Sequence, residues 1–182
     1  MFYLGLKRPV AVFFFAFSIS LTAGAQSCDI REIRALFYSA HASKKSAQAL
    51  YKKVGNATPA FPLLLGYKGI ADLMMCYHTQ NPYTKLKYFQ SGRSELENAI
   101  NIRKNDAELR FLRFCVQCNT PAILQYNNIQ EDKKALMLYL ESKTGISMDN
   151  DLYKRISEFL IESDRCSDEE KKEIRQLGPT RS

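Results

Sequence analysis

The stretch 62-PLLLGYKGIADLMMCYHT-79 decides the fold of this 182-residue chain. Wound as an α-helix, it is apolar nearly all the way round, and only Lys68 and Asp72, one turn apart, make a polar strip. A helix with apolar side chains on every side needs neighbours on every side, so this one is expected at the centre of a helical domain. Gly66 and Gly69 each lower helix propensity by about 1 kcal/mol relative to alanine. Close approach of a neighbouring helix is the return expected for that loss. The two charges also argue against a membrane span, which needs ~20 predominantly apolar residues.

Outward from this centre the periodicity stays helical. Upstream, Asp29 and Glu32 make a capping box for a helix whose apolar line runs Ile33, Phe37, Ala40, Ala47, Leu50, Tyr51 and Val54. Gly55 and Pro59 close it. Downstream, Asn81-Pro82 reads as an N-cap and first helical residue. That helix runs to about Arg103, with Tyr88, Phe89, Gly92, Leu96, Ala99 and Ile100 on one face. Asn105 with Glu108 opens a helix to Cys118, Asn119-Thr120-Pro121 interrupts it, and a short apolar turn spans 122–126. Asn128 with Glu131 opens another, ended by Gly145; 149–163 and 167–177 complete the set, the last with a Ser167/Glu170 capping box. No stretch alternates with the period of a strand. The connections are short, so successive helices are expected to pack as antiparallel hairpins.

The N-terminus reads as a secretory signal peptide. Lys7 and Arg8 form a basic start, Val10 to Leu21 an apolar run rich in phenylalanine, and Ala23-Gly24-Ala25 a small-residue cleavage site. Cleavage after Ala25 places the protein in the periplasm or outside the cell. Residues 26–177 then form one helical domain, and 178–182 a frayed tail. Ala25-Gln26-Ser27 before Cys28 is a poor lipobox, so Cys28 is expected to be an ordinary residue. Five cysteines (Cys28, Cys76, Cys115, Cys118, Cys166) leave at least one thiol unpaired within the chain; most read as small buried hydrophobes.

The formal charge is +7, unevenly spread. Residues 26–126 hold 14 Lys/Arg against 7 Asp/Glu, and residues 127–182 hold 10 against 12. A basic front admits an anionic partner or a membrane surface, although two solvated faces explain it as well. Export argues against nucleic acid.

Gly92, Leu96, Ala99-Ile100 and Asn105-Asp106-Ala107-Glu108-Leu109 resemble the second helix of a tetratricopeptide repeat running into the next repeat. Lys104 stands near the usual proline, and no second copy follows at that period. The resemblance covers about 62–118 and implies stacked helix pairs. Asn81 to Phe89, with Arg110-Phe111-Leu112-Arg113-Phe114, is similar to small exported helical proteins of Bacteroidetes-type bacteria. That resemblance implies an envelope location and no particular chemistry.

The 105–118 helix carries the candidate site. Arg110, Arg113 and Gln117 share a narrow polar wedge on an otherwise apolar helix. Buried guanidiniums need partners. One reading pairs them with Asp72, Glu95, Glu97 or Asp132. The other has them line a groove that receives a carboxylate, phosphate or sulfate, to which arginine's planar fork is suited. Lys85, Lys87 and Tyr88 cluster near a helix start, where free N–H groups favour anions. Together Lys85, Lys87, Tyr88, Arg110, Arg113 and Gln117 are expected to line a ligand groove between the 62–79, 81–103 and 105–118 helices.

Catalytic signals are weak. Cys115-x-x-Cys118 lies at a helix end, where the dipole opposes thiolate. Cys76, His78, Cys115 and Cys118 make a zinc inventory without a demonstrated geometry. Neither His41 nor His78 belongs to a recognisable triad, and Glu95 and Glu97 diverge on their helix. The expectation is an all-α, single-domain antiparallel bundle of six or seven helices, with TPR-like hairpins in the middle. It is expected to act as an exported binding or scaffolding module with no cofactor, no metal and no enzymatic activity; the alternatives are a binder of a small anionic ligand or lipid head group through a basic groove, and an enzyme of unidentified class. The partner would be another envelope protein or an anionic ligand.

Overall fold

The computed structural model describes residues 29–121, 124–142 and 150–177. The expected signal peptide, Cys28, the Gly145 stop and the 178–182 tail lie outside those residues. Within them the fold is an all-α bundle of eight helices: α1 (Ile30–Ala40), α2 (Lys44–Val54), α3 (Pro62–His78), α4 (Pro82–Ile102), α5 (Ala107–Cys118), α6 (Ile129–Ser142), α7 (Asn150–Glu162) and α8 (Asp168–Gln176).

The count exceeds the expected six or seven because the single helix read over 29–54 is two. The chain breaks at His41-Ala42-Ser43, and Ser43 Oγ accepts from the Ser46 amide to start α2. Ala40 and Ala47, read as neighbours on one apolar line, are both fully buried but on different helices. The α5 cap also shifts by one residue. Asp106, not Asn105, accepts from the amides of Glu108 and Leu109 at 3.0 and 3.1 Å.

α3 is central, as its all-round apolarity requires. Its most extensive partner is α4, and it also meets α1, α2 and α5. The α3–α4 crossing is made by glycines. A Cβ on Gly69 would lie 2.6 Å from the Gly92 carbonyl oxygen, and one on Gly92 would lie 2.6 Å from that of Gly69. Backbones this close leave no room for any side chain. The expected Lys68–Asp72 partnership is redirected across the same interface. Lys68 pairs with Glu95 of α4 at 2.6 Å, while Asp72 accepts from Ser91 Oγ at 2.7 Å.

Asp72 is buried. Burial pushes its carboxyl above the ordinary value, with the Ser91 hydrogen bond opposing. A folded-state pKa above the unfolded one means that the fold disfavours the ionised form. That cost is present at neutral pH and disappears as pH falls through the folded pKa. Asp72→Asn is therefore expected to raise the melting temperature at neutral pH by about 2 °C. The advantage should close as the pH is lowered toward about 4, as read by thermal melts across that range. A lower melting temperature at neutral pH would show that the fold depends on the charge.

α5 divides the interior in two. Leu109, Leu112 and Val116 enter a core shared with α1 to α4, around Ile33, Leu50, Tyr67, Ile70 and Leu96. Phe111 and Phe114 enter a second core with α6, α7 and α8, around Leu136, Leu140, Ile156 and Leu160. A buried polar tie fixes the first core to α5. Arg34 grips Glu108 with two hydrogen bonds of 2.7 Å, and the Tyr67 hydroxyl donates to the same carboxylate at 2.6 Å.

Candidate functional site

At one end of the bundle, five helices surround a half-open cavity of about 1010 Å³. Its geometry follows from how the helix ends are pinned. The α3 C-terminus is held to that of α1, where His78 Nε2 hydrogen-bonds the Ala40 carbonyl at 2.6 Å and Tyr77 stacks on His41 at 4.4 Å. Asn81 then caps α4 by accepting from the Thr84 amide, and Pro82 sets its first turn. This sends Lys85, Leu86 and Phe89 along one wall. The α1 and α3 ends supply Phe37, Tyr38, Leu73, Met74 and Cys76.

α5 forms the floor with Phe111, Cys115 and Val116, extended by Asn119 to Pro121 and Leu124. α7 is the far wall. Its residues Arg155, Glu158, Phe159 and Glu162 recur at i, i+3, i+4 and i+7 and so share one face. Phe159 meets Phe111 and Phe114 edge-on at 5.7 and 5.9 Å. The Arg155 guanidinium lies over the Tyr38 ring at 3.9 Å, joining α7 to α1. Burial pushes the Tyr38 hydroxyl up to about 12, so it stays a neutral hydrogen-bonding group.

Desolvation raises the pKa of Cys76, with Lys85 nearby opposing it, and pushes Cys115 well above the ordinary thiol value. Both thiols are therefore protonated and apolar at neutral pH. Among the described residues no group of three or more His, Cys, Asp or Glu side chains is placed to hold a metal ion. The set Cys76, His78, Cys115 and Cys118 accordingly does not assemble there.

The six residues expected to share a groove do not come together. Only Lys85 lines the cavity. Lys87 is exposed on α4, and Tyr88 turns toward α2, meeting Tyr51 edge-on at 6.0 Å. Arg110, Arg113 and Gln117 face α6. Asp132, fully buried, accepts from Arg113 Nε and Nη2 at 2.7 Å each and from Arg110 Nη1 at 3.1 Å. Arg110 also pairs with Glu131 and donates to the Lys104 carbonyl, and Arg113 donates to Glu97 at 2.8 Å. Gln117 accepts from the Asn128 amide at 2.9 Å.

Of the four carboxylates considered for the arginines, Glu97 and Asp132 take the role; Asp72 and Glu95 are held at the α3–α4 crossing. Burial raises the Asp132 carboxyl, while the two guanidiniums pull it down. With three hydrogen bonds from guanidiniums it remains the counter-ion of the pair. The wedge is thus a closed ion network that joins α5 to α6 and, through Tyr126 and Glu97, to α4.

The cavity escaped sequence reading because its lining comes from five helices far apart in the chain, of which the start of α4, with Lys85, was the segment singled out as a candidate site. One sequence signal could have pointed to it, the mixed Arg155/Glu158/Phe159/Glu162 face; the exposure of Tyr77 and Leu86 beside it is visible in the structure. No protein-family model, curated protein or solved structure matches this chain.

Proposed function

We propose that this chain is an exported, non-catalytic binding module, and that its ligand is an apolar molecule held in the five-helix cavity. The observation that carries the reading is the cavity itself. At about 1010 Å³ it stands at the upper end of ligand sites, which run from ~300 to ~1,000 Å³. Because the cavity is half-open, an apolar occupant would gain by taking Phe89, Phe111, Val116 and Leu124 out of water. Met74, Cys76 and Cys115 supply soft, adaptable surface for an apolar occupant. Export rests on the basic, apolar and small-residue pattern over residues 1–25. The closed pairing of Arg110 and Arg113 weighs against a free-anion site between α5 and α6.

A second reading, docking of a helix from another envelope protein, is favoured by exposed Tyr77, Tyr83 and Leu86 near the α3–α4 turn. Such a partner suits a scaffold of stacked helix hairpins.

Titration with N-phenyl-1-naphthylamine, a neutral apolar fluorophore, tests the cavity. Saturable enhancement at one equivalent is expected, with a Kd on the order of micromolar. Met74→Arg places a charge in the lining and is expected to weaken the probe at least about tenfold, because the guanidinium must be desolvated when the probe binds. Circular dichroism should show an unchanged helical spectrum for the variant. Absence of saturable binding, or equal binding by Met74→Arg, would overturn the proposal.

A further inference from the structure

The charged groups that line the cavity are Lys85 on α4 and Arg155, Glu158 and Glu162 on α7, with His41 on the rim. Two of them are already engaged. Arg155 lies over Tyr38 and contacts Asp151 at 3.5 Å, and Glu158 lies 3.7 Å from Lys154. Lys85 and Glu162 have no ion-pair partner among the described residues, and they stand on different helices. Among the described residues the cavity therefore presents one cation and one anion without an ion-pair partner, above an apolar wall and floor of Phe89, Phe111 and Val116.

Resting on the apolar-ligand reading, we infer that the occupant is a zwitterionic single-chain amphiphile, of the chemical class of a phosphocholine or phosphoethanolamine monoacyl lipid. The anionic group of the head faces Lys85, its cationic group faces Glu162, and the chain lies on the floor. A purely anionic head would gain Lys85 but meet the field of Glu158 and Glu162. A cationic head would gain Glu162 but meet Lys85 and Arg155. Only a head of both signs satisfies both free charges. Tyr38, His41 and Tyr77 in the same lining, each with an apolar ring and a polar tip, also suit an amphiphile's interfacial region.

Four dodecyl probes that differ only in the head distinguish these cases, each titrated below its micellar concentration by calorimetry. They are dodecylphosphocholine, dodecanoate, dodecyltrimethylammonium and dodecyl maltoside. Dodecylphosphocholine is expected to bind tightest, roughly tenfold tighter than the neutral maltoside. Lys85→Gln and Glu162→Gln are each expected to weaken it about fivefold, the yield of one partly exposed ion pair. Glu162→Gln should at the same time tighten dodecanoate.

Lys85 and Glu162 lie on the cavity wall and not in either core, so both variants are expected to fold. A shared melting temperature with the wild type checks this. If all four probes bind within about twofold of one another, the head-group inference falls while the apolar cavity stands. Stronger binding of dodecanoate, or no response to either variant, overturns it too. If no dodecyl probe binds, the cavity reading itself fails.

Discussion

Gly92→Ala is expected to destabilise the protein by about 3 kcal/mol, at the upper end of overpacking costs. The added methyl would sit 2.6 Å from the Gly69 carbonyl oxygen, 2.8 Å from Leu73 Cγ and 3.0 Å from Asp72 Cβ. The nearest atom is backbone, so no rotamer change relieves the overlap; α3 and α4 must separate. Gly69→Ala meets the same crossing from the other side and should lose a similar amount. Gly66→Ala is the informative contrast. Its closest neighbour is the Leu109 side-chain tip, which can rotate, so a smaller loss of about 1 kcal/mol is expected. Urea denaturation reads all three through the transition midpoint. Equal losses at Gly66 and Gly92 would mean that the crossing yields as easily as a leucine does.

Asp132→Ala is expected to cost about 3 kcal/mol, because it removes the one fully buried carboxylate shared by two guanidiniums that the fold has already desolvated, leaving Arg113 to Glu97 and Arg110 to Glu131 at the edge of the network. Arg113 is 3% exposed and Asp132 fully buried, so water cannot replace the lost carboxylate without opening the α5–α6 interface. The complementary experiment separates the worth of the network from the cost of breaking it. Replacing Arg113 and Asp132 together by methionine and leucine should recover much of the loss, since apolar pairs often substitute for buried ion pairs at little net cost. Recovery would show that the network fixes how α5 meets α6 more than it adds stability. Were Asp132→Ala to lose less than about 1 kcal/mol, Glu97 and Glu131 must suffice to hold the two guanidiniums.

The sequence reveals some of these features and hides others for physical reasons. The all-round apolarity of 62–79 and its glycines point directly to a central helix and a close crossing, because both depend on local composition. The break at Ser43 was masked by the helical spacing that continues across it, Ala40 to Ala47. Ser43 lacks the acidic residue three positions on that would mark a capping box; Ser46 stands there instead. Arg110 and Arg113 announce through their wedge that partners must exist. Which carboxylates answer depends on how α6 and the second half of α4 are placed, a matter of tertiary geometry. The cavity lies furthest from local signals. Lys85 was singled out for its position near a helix start, and it faces the cavity beside α7 residues about seventy positions away.

α5 contributes to both interiors, so the two halves are expected to unfold together. A fragment ending before α6 would expose Phe111 and Phe114 and leave Arg110 and Arg113 without Asp132. A fragment beginning at α5 would leave Leu109, Leu112 and Glu108 facing water. Neither half carries its own boundary, because the boundary is a single helix whose opposite faces are both spoken for. Sequence change in α5 is correspondingly confined: each position must suit one interior without disturbing the other. A ligand that enters the cavity rests on this same helix. Its binding energy is thereby felt by both halves at once, and occupancy should tighten the molecule as a whole.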